Sequence, residues 1–176
     1  MNKILTIIII FLSTSVLSAN ERDAKLDKLF MELKTNITSS SPMIAQQIWS
    51  LWSTHPTDEK LTSILDEGSR LVQDRQLARA INVFTEVIKL DPTWAEAWNK
   101  RATVFYMVGE FDKSQDDIDK VLELEKRHFG ALAGQGMVNI QLKNYDKAKR
   151  SYQKVQEIYP AMKSPKVMIE QIEEVN

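Results

Sequence analysis

The chain has no cysteine. That excludes at once a disulfide framework, thiolate metal ligands, a cysteine nucleophile and a lipidated cysteine. Histidine is almost as scarce, with His55 and His128 the whole supply in 176 residues. A histidine that binds metal or moves protons needs partners held nearby, and neither has an acidic or hydroxyl neighbour at helical spacing. Both are expected to be turn residues without chemistry. No sign of charge predominates, since 23 Lys and Arg face 24 Asp and Glu for a net of −1. The electrostatic footprint of a nucleic-acid binder is therefore missing. Long apolar runs are missing too, except at the start. There a short basic opening, the run Ile4 to Leu12 and the small-residue end Val16-Leu17-Ser18-Ala19 read as a secretory signal peptide over 1–19, cut near Ser18 or Ala19. The run is too short to span a bilayer comfortably, so membrane contact is expected only through this leader, if it is retained. Together with Lys-, Ile- and Asn-rich usage it suggests a bacterial periplasmic protein. In a eukaryotic source Asn36-Ile37-Thr38 would be a glycan acceptor; otherwise it is a loop.

What the chain does have is a period of 34 residues. Units starting at Leu61, Ala95 and Phe129 place Ile64, Trp98 and Leu132 at the fourth position. Gly68, Ala102 and Gly136 stand at the eighth. The seventeenth holds Leu77, Phe111 and Tyr145, and the twentieth Ala80, Ser114 and Ala148. Position 24 reads Phe84, Ile118, Tyr152; position 27 Val87, Val121, Val155; position 30 Leu90, Leu124, Ile158. Pro92 and Pro160 close two of the three units, and Lys126 stands in the middle one. Small residues at 8 and 20 let two helices cross closely, and bulky ones at 4, 11, 24 and 27 fill the space around the crossing. The pattern resembles the tetratricopeptide repeat over 61–162. The resemblance implies an all-α, right-handed solenoid of stacked helix–turn–helix units (61–94, 95–128 and 129–162 within a domain of 58–162).

The flanks read as helical caps, since the end units of a solenoid lack a neighbour. Leu26, Leu29, Phe30 and Leu33 follow the i, i+3, i+4, i+7 spacing of a helix with one buried face. Ser41-Pro42 then looks like an N-cap and N1 proline, opening a helix striped by Ile44, Ile48, Leu51 and Trp52 and stopped at His55-Pro56. Residues 20–57 thus read as a degenerate capping pair leading into repeat one. Residues 163–176 read as a last helix opened by Ser164-Pro165, with Val167, Met168 and Ile172 covering repeat three. Within the repeats, Thr93-Trp94-Ala95-Glu96 has the form of a capping box. Asp112 and Asp146 are placed to cap the second helices of their units.

Other clusters have plain structural readings. Gly130 to Gly136 follows no strand and lacks the Gly-Lys-Ser/Thr ending of a phosphate loop. It is expected to be helix, with Gly136 needed for packing and Gly130 and Gly134 not. Asp116, Asp117 and Asp119 point apart on a helix and form a solvated face, with Asp117 available to pair with Arg101. Trp98 and Trp52 are read as core; Trp49 and Trp94 stay open between core and surface. No cofactor, no metal and no enzymatic activity is expected, because no nucleophile–base set survives.

The resemblance further implies a concave wall built by the first helix of each unit. Its candidate partner-binding residues are Leu65 and Val72; Asn99, Thr103, Tyr106 and Met107; and Gly130, Ala133, Met137 and Ile140. Apolar residues gathered on such a wall mark a contact surface. Some family members grip a chaperone's C-terminal carboxylate with Lys, Asn, Asn, Lys and Arg, where this chain has Leu65, Ser69, Lys100, Gly130 and Gly134. That clamp is absent. The expected function is an interaction or scaffold module that holds a peptide or helix of an envelope protein, with a shallow pocket at Gly130, Ala133 and Gly134 walled by Tyr106 and Met137. The alternative is a self-associating structural subunit of an envelope complex, a homo-oligomer docked through its end helices.

Overall fold

The computed structural model describes residues 21–36 and 39–175. The leader at 1–19 and the Ile37-Thr38 part of the glycan triplet lie outside them. Among the described residues there are nine helices and no strand. They are α1 (21–35), α2 (Ser41–Ser53), α3 (Glu59–Gln73), α4 (Leu77–Leu90), α5 (Ala95–Met107), α6 (Phe111–Leu124), α7 (Phe129–Gln141), α8 (Tyr145–Ile158) and α9 (Lys163–Val175). None is long and apolar enough to cross a membrane. The pairs α3/α4, α5/α6 and α7/α8 coincide with the three units of the 34-residue period. Together they form an all-α helical-repeat solenoid.

Each pair crosses at its eighth position, and the sizes match. A Cβ built at Gly136 would fall 2.5 Å from Cζ of Tyr152, and one at Gly68 would enter the ring of Phe84. The middle unit carries a methyl at Ala102, and there the opposing residue is the smaller Ile118; both are buried in one cluster. Glycine faces a ring and alanine faces an aliphatic chain. Close packing in an interior tolerates no other arithmetic. Val87, Val121 and Val155 are fully buried behind these crossings.

The turns within pairs are alike as well. The amides of Gln76, Glu110 and Asn144 reach back to the carbonyls of Leu71, Phe105 and Asn139 at 2.8, 2.9 and 2.7 Å. This is the double-bonded helix ending that needs a left-handed residue, supplied by Arg75, Gly109 and Lys143 with φ of 60°, 81° and 59°. The backbone closes these turns by itself. Asp112 and Asp146 consequently do not cap: the N-cap positions are Glu110 and Asn144, and neither side chain accepts from a backbone amide of its helix. The two aspartates sit inside the first turn, where their charge still suits the helix dipole. The capping box is not made either. Trp94 occupies the N-cap of α5 without a side-chain bond to that helix, Thr93 bonds to Asp91, and Glu96 is engaged elsewhere.

The N-terminal pair leads into repeat one in sequence but packs against repeat three. Leu26, Leu29, Phe30, Leu33, Ile44, Ile48 and Trp52 share a buried cluster with Phe129, Leu132, Val155 and Tyr159. Arg127 fastens it from outside: its guanidinium lies 4.3 Å over the Phe30 ring and 2.6 Å from Asp27. Hydrogen bonds to Glu125 hold the Arg127 pKa above its usual value, against burial and with help from Asp27. At the other end Ile172 of α9 is buried with Ala148 and Tyr152, and Met168 and Ile169 pack beside them. Val167, expected to join this cover, is 48% exposed, because its position falls on the outer side of α9.

Candidate interaction groove

Both histidines are structural clamps, each meeting an acidic partner that lies far beyond helical spacing in the sequence. His128 is fully buried. Its Nδ1 accepts the Ala131 amide at 3.1 Å, which leaves the proton on Nε2 to be donated to Glu96 at 3.1 Å. Its ring stacks on Trp52 at 4.0 Å and 8°. His55 repeats the scheme one element earlier. Nδ1 accepts the Asp58 amide at 2.9 Å, Nε2 meets Asp91 at 2.8 Å, and the ring stands edge-on to Trp94 at 5.0 Å. Burial works against the Asp91 charge, but hydrogen bonds from Thr93 and His55 outweigh it and hold the carboxyl below its usual pKa. Trp94 in turn donates its indole N–H to the Trp52 carbonyl at 2.8 Å. The N-terminal pair is thereby fixed along the starts of α5 and α7.

This placement decides which wall residues remain available. Glu96 is buried with Asn99, which donates to it at 3.0 Å, and Lys100 lies 3.5 Å away. Gly130 proves to be a packing residue after all: a Cβ there would fall 2.5 Å from Trp49. Trp49 of α2 therefore covers that end of the wall, and Asn99 is only 8% exposed. Leu65 drops out for a different reason. It is 1% exposed and belongs to the cluster joining α3 and α4 to Trp94 and Ala97, so it holds repeats together and is not open to a partner. Val72 is half-buried beside the same cluster.

The other six candidates are accessible, and five of them, all but Met107, line two adjoining cavities. Thr103 is exposed, while Tyr106, Ala133 and Ile140 are half-buried. Met107 and Met137 are 40% and 42% exposed. A small cavity of about 90 Å³ lies between α5 and α7, lined by Tyr106, Gly130, Gly134 and Met137 among others. This is the place the sequence marked as low. A larger cavity, about 330 Å³, opens beside it toward α9 and takes in Ala133, Ile140, Met162 and Met168. The contribution of α9 was invisible in the sequence, because the 34-residue period stops before it.

Side chains behind the wall hold it stiff. Arg101 makes the expected pair with Asp117, with Nε and Nη2 both at 2.8 Å from the carboxylate, and adds Thr85 of the preceding repeat at 3.0 Å. Asn139 donates to Gln115 at 2.7 Å, and Ser151 donates to Gln135 at 2.8 Å. Trp98, expected in the core, is half-buried; its indole N–H bonds to the Pro92 carbonyl and Arg101 lies 5.1 Å over its ring. The aspartates of α6 are paired with neighbouring side chains where Asp117 and Asp119 are concerned.

Helix pairs repeated at constant size, with a partly open inner wall, define a helical-repeat protein. Residues 130–162 match the tetratricopeptide repeat family. A TPR repeat-containing protein of Rhizobium etli is 28% identical over 151 residues, which make up 85% of this chain and 74% of that protein. The first TPR of Spaghetti (RPAP3), bound to an HSP90 peptide, has the same fold with a TM-score of 0.65 at 19% identity, over 66% of this chain and 93% of that one. The type III secretion chaperone SycD of Yersinia enterocolitica, in complex with a peptide of the translocator YopD, gives 0.63 at 13% identity over 68% and 96%. Residues 130–162 thus carry a tetratricopeptide repeat by sequence, and the chain shares the fold of solved tetratricopeptide-repeat domains.

Proposed function

We propose that this chain is a protein-interaction module that holds a segment of another protein on the wall formed by Thr103, Tyr106, Met107, Ala133, Met137 and Ile140. One observation carries the reading. Met137 stands open on a wall beside Tyr106 and two cavities, and Met107 is exposed on the same helix as Tyr106, although the adjoining end of that wall is covered by the chain's own Trp49. Apolar surface left uncovered where the fold had the means to cover it suits a contact surface. Methionine adapts its shape to a partner, and tyrosine offers apolar area with a hydroxyl. Likeness in fold to proteins whose structures contain bound peptides supports the same reading. The module acts by contact and has no chemistry of its own. Export to the periplasm, read from residues 1–19, belongs to this proposal; N-terminal sequencing of the protein from the periplasmic fraction would show a start near residue 19 or 20.

The test is selection from a displayed peptide library on the full chain, with each selected peptide re-tested on Tyr106→Asp and Met137→Asp. Loss of binding to both variants, at unchanged helicity by circular dichroism, is the expected result. Peptides that bind all three proteins equally would refute the assignment of the groove.

A further inference from the structure

The outer face of α8 carries a row of cations. Lys147, Arg150 and Lys154 stand three and four residues apart, which puts them on one side of the helix, and Lys143 precedes them in the turn. Lys147 is half-buried and the other three are exposed. The opposite side of α8 is buried through Ala148, Ser151, Tyr152 and Val155, with the Tyr152 ring under Gly136 of α7, so the row is turned away from the inner wall. We infer that this face is a docking surface for an anionic phospholipid bilayer. Such docking requires neither the groove nor residues 1–19.

The other repeats supply the comparison. At the positions of Lys147, Arg150 and Lys154, α6 has Lys113, Asp116 and Lys120. Lys113 pairs with Glu110 at 3.1 Å and Lys120 with Glu123 at 2.9 Å. The same positions of α4 hold Arg79, Asn82 and Glu86, and Glu86 pairs with Lys89 at 2.8 Å. In repeat three Asn144 replaces Glu110, and Arg150 replaces Asp116. Among the described residues, Lys149 alone of the cations on α8 has an ion pair, with Glu173, and Lys143 has none. Like charges at these spacings destabilise a helix, and here no ion pair within the chain offsets them.

Two features favour a bilayer over a protein partner. The centre of a specific protein interface is rich in aromatic and apolar side chains and depleted of lysine. The exposed residues of α8 are Asp146, Arg150, Gln153, Lys154 and Glu157, which give a peptide nothing apolar to hold. A cation beside an anionic bilayer, in contrast, gains affinity without any shaped contact. The second feature is an open hollow at each end of the row. One, about 490 Å³, is lined by Lys143, Asp146, Lys147 and Arg150 among others. The other, about 320 Å³, takes in Lys154, Glu157 and Lys126, the residue standing where the other two units have proline. Each hollow has room for a phosphate headgroup, and its cations outnumber its single carboxylate.

The experiment is co-sedimentation of the full chain with vesicles of phosphatidylcholine, alone or with about one-third phosphatidylglycerol. Each cation at an anionic surface multiplies affinity about five-fold. The row with its two carboxylates should therefore prefer the anionic vesicles on the order of 100-fold at about 0.05 M salt, and lose the preference at about 0.5 M. Lys147→Glu combined with Arg150→Glu should abolish it. Lys113→Glu combined with Lys120→Glu changes the net charge of the chain equally but lies in repeat two, and should keep it. All three proteins share one N-terminus, so any contribution of the leader is common to them, and circular dichroism confirms their folds. A preference below about five-fold in the unmodified chain, its survival in the Lys147–Arg150 variant, or equal loss in both variants would each overturn the proposal. Row-dependent binding of poly-glutamate or of a DNA duplex as tight as that of the anionic vesicles would overturn it too, since the partner would then be another polyanion. Release from the vesicles by millimolar inorganic phosphate would also overturn it, because the row would then be a site for the free ion.

Discussion

The size matching at the helix crossings makes a sharp prediction in repeat one, away from the groove. In Gly68→Ala the new methyl enters the Phe84 ring, with Cδ1 and Cζ at 2.9 Å and Cε1 nearer still. Phe84 is fully buried and has no free space to retreat into. Overpacking of this kind costs about 1–3 kcal/mol, offset by about 0.8–1 kcal/mol gained when alanine replaces glycine in a helix. The single change should lower stability by about 0–2 kcal/mol, or up to roughly 8 °C in melting temperature for a chain of this size. Phe84→Ile alone leaves a void and should cost about 1–2 kcal/mol, well short of a full truncation. Independent effects would sum in the double variant. The structure predicts otherwise, because Gly68→Ala combined with Phe84→Ile would reproduce the Ala102–Ile118 pairing of the middle repeat. The double variant should be no less stable than Phe84→Ile, a coupling of about 1–3 kcal/mol. Urea denaturation of the four proteins, followed by circular dichroism, measures it. Additivity within about 0.5 kcal/mol would show that glycine stands at position 8 for some reason other than the opposing ring.

Two further predictions concern the clamp on the N-terminal pair. Gly130→Ala should push Trp49 off the start of α7 and speed hydrogen exchange in α1 and α2, while α3 to α8 keep their protection. The cost is about 1–3 kcal/mol before the helix-propensity gain; unchanged exchange in the first two helices would sink the assignment of Gly130 as the Trp49 seat. The second concerns acid. Because the folded pKa of Asp91 is depressed, its contribution is fully present above the unfolded value near 3.9 and is lost as pH falls through that value toward the folded one. Asp91→Asn should flatten the loss of stability below about pH 4, read as urea midpoints from pH 2.5 to 7. Identical acid slopes in the two proteins would show that the His55–Asp91 contact carries no pH-dependent stability.

The solenoid could be read from the chain because its rules are local and stated three times. Gly68, Ala102 and Gly136 each face the residue sixteen positions on, and so do Arg101 and Asp117. A constraint that recurs at fixed spacing stands out from the noise of single positions. The same holds for Tyr106, Met107, Met137 and Ile140, whose place on the wall follows from their position in the unit. The misreadings share an opposite cause. Asp112, Asp146 and Thr93 looked like caps by residue type, but the backbone closed the turns before Asp112 and Asp146 first, through Gly109 and Lys143, and Thr93 is held by Asp91. A propensity is a weak prior where geometry is already satisfied.

By itself, then, the sequence determined the helices, their pairing and the order of their stacking, since each of these depends on neighbours within one repeat length. Tertiary structure alone decided where the first two helices lie. That choice rests on contacts between residues 42 to 100 positions apart, such as Trp94 with Trp52 and Arg127 with Asp27, which leave no periodic trace. It closed the Asn99–Gly130 end of the wall under Trp49 and left the Tyr106–Met137 end bare, and with α9 it shaped the cavity. A one-dimensional pattern records which face a residue occupies; what covers that face is a matter of distance in space.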